Sequence, residues 1–410
     1  MPSPSRPSPE DTADANAPPR VAYFPDSFHE VNGVAHTSRH FEAFARRRDL
    51  PFLSVRAGSR SRALVEEGNQ WSLELSRSRF SIPLEKDLRF DPAFARHRAR
   101  VADALRRFRP DWIHITGPSE LGLMGAYFAH RMKLPLAASW HTNVHEYAAR
   151  RAEWLLRPLP KPLAAAARRG IESLSLAAAA RFYRQAKVLF APNPDLCSLL
   201  AHTAGRPCFL MPRGVDAELF HPARRTRPAG DAERILGFVG RLSIEKNIRL
   251  LVEIQKSLDP EKEKFLIVGH GGDEAWLRTR LHRAEFTGVL RGEALACAYA
   301  KMDLFVFPSH TDTFGNVVLE ALASGVPAVV TPDGGPASIV RDGQTGSIAR
   351  DEEFPSAIRA ILDDPARHAA MREAARAYAL TASWDAVFEG VYSGYRSCFS
   401  AHGERQSSER

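Results

Sequence analysis

The sequence predicts an α/β protein built from two doubly wound domains. Three observations carry this. Short apolar strands alternate with amphipathic helices along most of the chain. The pattern stops in an Arg/Pro-rich stretch, HPARRTRPAGDAER, and restarts with ILGFVGRL. The length of 410 residues suits two domains at roughly 100–200 residues each.

Taken in order, RVAYF (Arg20–Phe24) reads as the first strand. The loop PDSFHEVNGVAHT follows, and then a helix over Ser38–Arg48 with Phe41, Phe44 and Ala45 at helical spacing. DWIHIT (Asp111–Thr116) is a strand that leads into a helix from Glu120 to Lys133. PLAASWHT, VLFAPN (Val188–Asn193) and CFLMPRG (Cys208–Gly214) are further strands. In the second half ILGFVGRL, KFLIVGHG, DLFVFPS and PAVVTPDGG read as strands, with KNIRLLVEIQKSL and FGNVVLEALASG as helices. Strands alternating with helices make βαβ units and a parallel sheet. The final helix, Ser383–Phe399, carries Trp384, Val387, Phe388, Val391, Tyr392 and Tyr395 as one apolar stripe. The expected organisation is a disordered tail over 1–19, a first domain over 20–212 and a second over 213–382. The helix 383–399 and a short tail over 400–410 complete it.

Composition narrows the function. Apolar residues are 44% and charged residues 25%, so the chain is neither disordered overall nor fibrous. No apolar run reaches the ~18–20 residues of a membrane span. The start, rich in Pro, Ser and Ala, has no apolar core, which argues against a secretory signal. Cys197, Cys208, Cys297 and Cys398 make no CxxC pair, which argues against a zinc cluster or a disulfide framework and fits a reduced, cytoplasmic compartment. Neither a zinc-protease helix motif nor a Walker loop occurs. Charge is one-sided: residues 1–212 hold 31 Lys and Arg against 20 Asp and Glu, whereas 213–410 hold 25 against 28. The excess of positive charge therefore belongs to the first half. It concentrates in 150–187, where nine basic residues face Glu153 and Glu172. Such a surface attracts nucleic acid, anionic lipid or an acidic substrate.

Four loops of the second half suit phosphate or polyol. Gly240-Arg241 with Lys246 places a guanidinium and an ammonium after a strand, a pair that suits a diphosphate. Gly269-His270-Gly271-Gly272 lets backbone approach a ligand closely. Asp312 precedes Phe314-Gly315-Asn316-Val317, where a helix opens and free N–H groups with the positive dipole end seat a phosphate. Glu320, one and a half turns on, stands in the apolar setting VVLEALASG and is suited to ribose hydroxyls. Asp333-Gly334-Gly335 is the fourth loop.

GRLSIEKN, FLIVGHGG, DLFVFPS, TDTFGNVVLEALASGVPAVV and GGPASIVRDGQTG stand in order and spacing similar to the retaining nucleotide-sugar glycosyltransferases of family 4, often called group 1. The resemblance covers nearly the whole second half. In the first half, Asn32-Gly33-Val34 resembles the family's glycine loop near donor diphosphate and acceptor. Ser139-Trp140-His141-Thr142 resembles its histidine loop near the sugar. HTNVHEY and the basic segment after it look most like the branch of glycolipid synthases and bacterial α-mannosyltransferases. The resemblance implies the GT-B fold: two Rossmann-like domains facing across a cleft, the nucleotide on the second, the acceptor mostly on the first, and the last helix crossing back to the first. Two positions depart from the family pattern. Asp312 stands at the first Glu of Glu-x7-Glu, which bears on sugar choice. Ser338 stands at the Glu of GGxxE.

The reaction so implied moves a hexose from a nucleoside diphosphate sugar, UDP-glucose-like or GDP-mannose-like, to a lipid or saccharide hydroxyl with retention. Asp312, His141, Arg241 and Lys246 are the expected catalytic group, with Asp312 and His141 at the sugar and the two cations at the diphosphate. Gly33, Gly240, Gly269, Gly271, Phe314, Gly315, Asn316, Val317 and Glu320 are the expected donor contacts. With no Asp-x-Asp motif, no metal and no cofactor beyond the donor substrate are expected. On the acceptor side, Asn32, Arg150, Arg151 and Trp154 are expected to meet the acceptor or an anionic membrane at its inner face, since mixed Trp, Leu and Arg suit a bilayer interface. Two other readings fit the same residues: a nucleotide-sugar 2-epimerase of the same fold, and a nucleotide-sugar or nucleic-acid binding protein without activity. Basic residues are not interleaved with stacking aromatics, which speaks against nucleic acid.

Overall fold

A computed structural model of the chain describes residues 17–30, 33–83, 89–141, 161–228 and 231–407. Asn32, Arg150, Arg151 and Trp154, and most of the expected tail over 1–19, lie outside the described residues. The chain divides into two compact units, Met1–Ala138 with Tyr392–Arg410, and Ser139–Val391.

In the first unit β1 (Val21–Phe24), β2 (Phe52–Gly58), β3 (Val65–Glu67), β4 (Gln70–Ser76), β7 (Trp112–Ile115) and β8 (Leu136–Ser139) lie in the order β8-β7-β1-β2-β4-β3. β5 (Ile82–Pro83) and β6 (Arg89–Phe90) form a separate small ribbon. β1 runs parallel to both β2 and β7, and only the edge strand β3 is antiparallel. All four residues of β1 and of β7 are buried, as parallel strands covered on both faces require. The first helix spans Gly33–Arg47, beginning five residues before the expected Ser38. The hydroxyls of Thr37 and Ser38 donate to the carbonyls of Gly33 and Val34, so residues that read as loop are accommodated inside the first turns. The helix Glu120–Met132 agrees with the reading: Ser119 caps it by accepting from the Gly122 N–H, and Lys133 ends it in the left-handed conformation. β2 to β6 are additional to the strands that the sequence predicts.

The last helix, Trp384–Ser407, starts in the second unit and passes into the first. Every residue of the expected stripe is buried. Within the first unit Tyr395 stacks on Trp112 at 5.3 Å and its hydroxyl meets His114 Nδ1, while Tyr392 packs against Phe41 and Phe44.

In the second unit a helix, Lys161–Tyr183, precedes β9 (Val188–Ala191), which pairs in parallel with β10 (Cys208–Leu210) through the helix Pro194–Ala204. β11 (Arg234–Val239), β12 (Glu263–Val268), β13 (Ala284–Gly288), β14 (Leu304–Phe307), β15 (Ala328–Val330) and β16 (Gly346–Ile348) form an all-parallel sheet in the order β13-β12-β11-β14-β15-β16. Phe305 and Phe238 both stack on Phe307, at 5.9 and 6.0 Å. The expected helix over KNIRLLVEIQKSL shrinks to Leu250–Gln255 behind a 3₁₀ turn, Ile244–Lys246, because Asn247 takes a left-handed φ of 52°. The strand order reverses between β11 and β14, which are hydrogen-bonded neighbours. Ligands of doubly wound sheets bind beyond the carboxyl ends of the strands at such a reversal.

Candidate functional site

The loops that leave β11 and β14 carry two residues that form an ion pair. Gly240 and Arg241 follow β11, and the chain then turns through Ile244–Lys246. After β14 the segment Pro308-Ser309-His310-Thr311 leads to Asp312. Lys246 Nζ donates to both carboxylate oxygens of Asp312, at 2.7 and 2.8 Å. Both side chains are about one-fifth exposed, so the pair is reachable from solvent without being fully solvated. The Lys246 ammonium also stands 5.9 Å from the centre of the Phe307 ring. Arg241 does not join them: its side chain is 69% exposed and pairs with Glu245 one turn on, at 3.3 Å.

Asp312 is followed by Thr313, Phe314 and Gly315, and Gly315 opens the helix Asn316–Ala323. Gly315 has φ 92°, a conformation side chains resist, and a Cβ there would lie 2.9 Å from Pro336 Cγ. The loop is gripped from behind by Asp333-Gly334-Gly335, where the Gly335 N–H donates to the Asp312 carbonyl at 2.7 Å. The glycines after β12 also answer to packing. A Cβ on Gly269 would fall 1.9 Å from the Gly240 carbonyl oxygen, and one on Gly271 2.2 Å from that of Leu242. The two glycine loops therefore lie backbone against backbone, which accounts for both glycines before any ligand is considered. Glu320 accepts from the hydroxyl of Tyr299 at 2.9 Å. Burial pushes its carboxyl up to about 7, against the lowering effect of that hydrogen bond.

His141 lies in the same unit and is buried. Arg213, also buried, directs a guanidinium N–H at His141 Nδ1 over 2.9 Å. A guanidinium only donates, so Nδ1 accepts and the ring proton is assigned to Nε2. Nε2 then donates to Ser139 Oγ at 2.7 Å. The buried side chain of Asn193 caps the helix Pro194–Ala204 through the Leu196 N–H and donates to the Thr313 carbonyl at 2.7 Å. Arg213, Asn193, Thr313 and Tyr299 were not singled out from the sequence. Asn193 carried a signal, Asn-Pro at a strand-to-helix turn, which is an N-cap signature. Arg213 carried none.

In the first unit Gly33 begins its helix, and a Cβ there would meet nothing within 4 Å. Asp26, just after β1, accepts from the Ser119 hydroxyl, and its N–H donates to Thr116. Burial raises its carboxyl to about 6. Among the described residues no group of three or more His, Cys, Asp or Glu is placed to hold a metal ion, and no helix is long and apolar enough to cross a membrane.

Residues 29–219 match the family model described as Glycosyltransferase Family 4, and residues 233–364 match that described as Glycosyl transferases group 1. A GDP-mannose-dependent alpha-mannosyltransferase of Corynebacterium glutamicum is 32% identical over 298 residues, 70% of this chain and 67% of that protein. One of Mycobacterium tuberculosis is 33% identical over 309 residues, 72% of this chain and 75% of that protein. Sucrose-phosphate synthase from Thermosynechococcus elongatus has a similar fold, with TM-score 0.70 at 19% identity over 93% of this chain and all of that one.

Proposed function

Because the chain belongs to glycosyltransferase family 4, with the GT-B fold and transfer of a sugar from a nucleotide sugar that go with it, we propose that it is a retaining mannosyltransferase using GDP-mannose and a lipid or saccharide hydroxyl. The observation that carries the donor site is the Lys246–Asp312 pair at the strand-order reversal. The two relatives named for GDP-mannose support the choice of sugar.

In this reading the diphosphate takes the Lys246 ammonium as its partner, with Arg241 swinging in from its exposed position. The N–H groups of Gly315, Asn316 and Val317 receive phosphate oxygens at the helix start. Phe314 walls this seat, and Gly240, Gly269 and Gly271 let backbone border it. Asp312, released from Lys246, accepts from hydroxyls of the mannose. His141 sits at the sugar, and Glu320 accepts from the ribose. Gly33 borders the donor and Asn32 serves the acceptor side, with 20–212 as the acceptor part and 213–382 as the donor part. The acceptor hydroxyl attacks the anomeric carbon on the face the diphosphate leaves, and its proton goes to a departing phosphate oxygen. The protein contributes position and charge.

The test is direct. Purified protein is given GDP-mannose or UDP-glucose, and release of GDP or UDP is measured with and without a lipid or saccharide acceptor. The proposal requires faster GDP release from GDP-mannose, increased by acceptor; preference for UDP-glucose would overturn the sugar assignment. Peripheral membrane contact is proposed from the basic, Trp- and Leu-bearing segment 150–187. It predicts salt-sensitive pelleting with anionic and not neutral vesicles, lost on joint substitution of Arg150, Arg151 and Trp154 by Ser. Equal, negligible pelleting with both vesicle types removes it.

A further inference from the structure

Outside the donor site, the fold closes an eleven-residue separation between two thiols. Cys197 lies in the first turn of the helix Pro194–Ala204, its N–H bonded to the Asn193 carbonyl. Cys208 opens β10, the strand that follows this helix. Their sulfurs stand 3.4 Å apart, and both residues are partly exposed. We propose that Cys197 and Cys208 form a two-thiol modification site that reacts with low-molecular-weight disulfides and closes into an intramolecular disulfide.

The geometry places donor and acceptor for this exchange. The Cys208 S–H points at Cys197 Sγ. That hydrogen bond lowers the Cys197 thiol below its ordinary range, with the Ala191 backbone adding to the effect against burial, while the Cys208 thiol is raised. Cys197 is thus the attacking thiolate. Its sulfur attacks one sulfur of a small disulfide such as oxidised glutathione. The S–S bond breaks, one thiolate leaves, and a mixed disulfide stands on Cys197. Cys208 loses its proton to the departing thiolate, attacks Cys197 Sγ and expels the second thiolate, which takes up the proton that Cys197 released to water. Two protein thiols are oxidised and one small disulfide is reduced to two thiols. Closure needs the sulfurs to approach from 3.4 Å to a bonded ~2.05 Å. The helix concerned is the one whose cap, Asn193, holds the Thr313 carbonyl beside Asp312, so the modification acts on an element that supports the donor loop.

The reduced full chain is incubated with oxidised glutathione, quenched by alkylation and mapped by peptide mass without reduction. The expected result is a Cys197–Cys208 linked peptide pair, free of glutathione and reversed by dithiothreitol. In Cys208→Ser, which cannot close, one glutathione is expected to remain on Cys197. The proposal is overturned if Cys197 and Cys208 are both recovered alkylated while Cys297 takes the adduct, or if the link formed joins any other pair.

Discussion

Arg213 holds Nδ1 of His141 at 2.9 Å, and the opposite ring nitrogen lies 2.7 Å from Ser139 Oγ. With Nδ1 accepting and Nε2 donating, the imidazole has no lone pair to spare for a proton. It is built to orient, and a general-base role does not fit. The ¹⁵N shifts of His141 should show the proton on Nε2 at neutral pH. Arg213→Gln removes a charged hydrogen bond of about 1.5–3 kcal/mol, so the tautomer signal should become mixed and kcat/KM should fall at least tenfold. A proton on Nδ1 in the unaltered protein would refute the arrangement.

Lys246 and Asp312 form a second pair, one that the proposed donor would rearrange. Lys246→Ala removes the cation proposed for the diphosphate and leaves Asp312 without its partner. The expected loss in kcat/KM is at least tenfold, with the fold intact by circular dichroism. Arg241→Ala should also lose at least tenfold, although Arg241 pairs with Glu245 at 3.3 Å in the structure. Its loss must therefore come from the bound state alone. Wild-type kcat/KM in both variants would show that the diphosphate binds elsewhere.

The strands bearing these residues were legible because β11, β12, β14 and β15 are continuous apolar runs ending in glycine or proline. The loops after them carry the residues proposed for the site. Other strands were not legible as continuous apolar runs: β4 alternates polar and apolar residues, the edge strand β3 is exposed along its length, and the edge strand β16 is three residues long. The Lys246–Asp312 contact joins residues 66 positions apart, and spacing alone could not reveal it. Spacing alone does not separate ligand contact from packing at the glycines: Gly269 and Gly271 are required by the carbonyls of Gly240 and Leu242. Arg213 is not legible because a lone arginine after a strand has no pattern, and only the fold brings it to His141.

Metal removal is a further check. The proposed diphosphate partners are an ammonium, a guanidinium and a helix start, and the sequence has no Asp-x-Asp motif. Activity with GDP-mannose should therefore survive EDTA with little change in kcat. Full loss in chelator, restored by Mg²⁺ or Mn²⁺, would contradict the proposed charge balance.

Glu320 ties the site to stability. Its carboxyl is raised from the ordinary 4.5 to about 7 by burial, and among the described residues Tyr299 is the side chain bonded to it. The folded chain therefore keeps a proton on Glu320 over a range where the unfolded chain has lost it. The linkage follows: stability from this group is greatest below about 4.5 and is lost as pH rises through about 7. Glu320→Gln keeps the shape and the acceptor oxygen for Tyr299 and cannot ionise. At pH 5 it should be about as stable as the unaltered protein, and at pH 8 more stable by roughly 2 kcal/mol, since each pK unit is worth about 1.4 kcal/mol and solvent reaching the side chain reduces the effect. Asp26, raised to about 6, titrates in the same range, but it is present in both proteins and cancels in the difference. Urea unfolding of both proteins at pH 5 and pH 8, at one ionic strength, measures that difference. An equal gap at the two pH values would mean that Glu320 is solvated and ionised throughout, and its assignment to a buried carboxyl bonded to Tyr299 would fall.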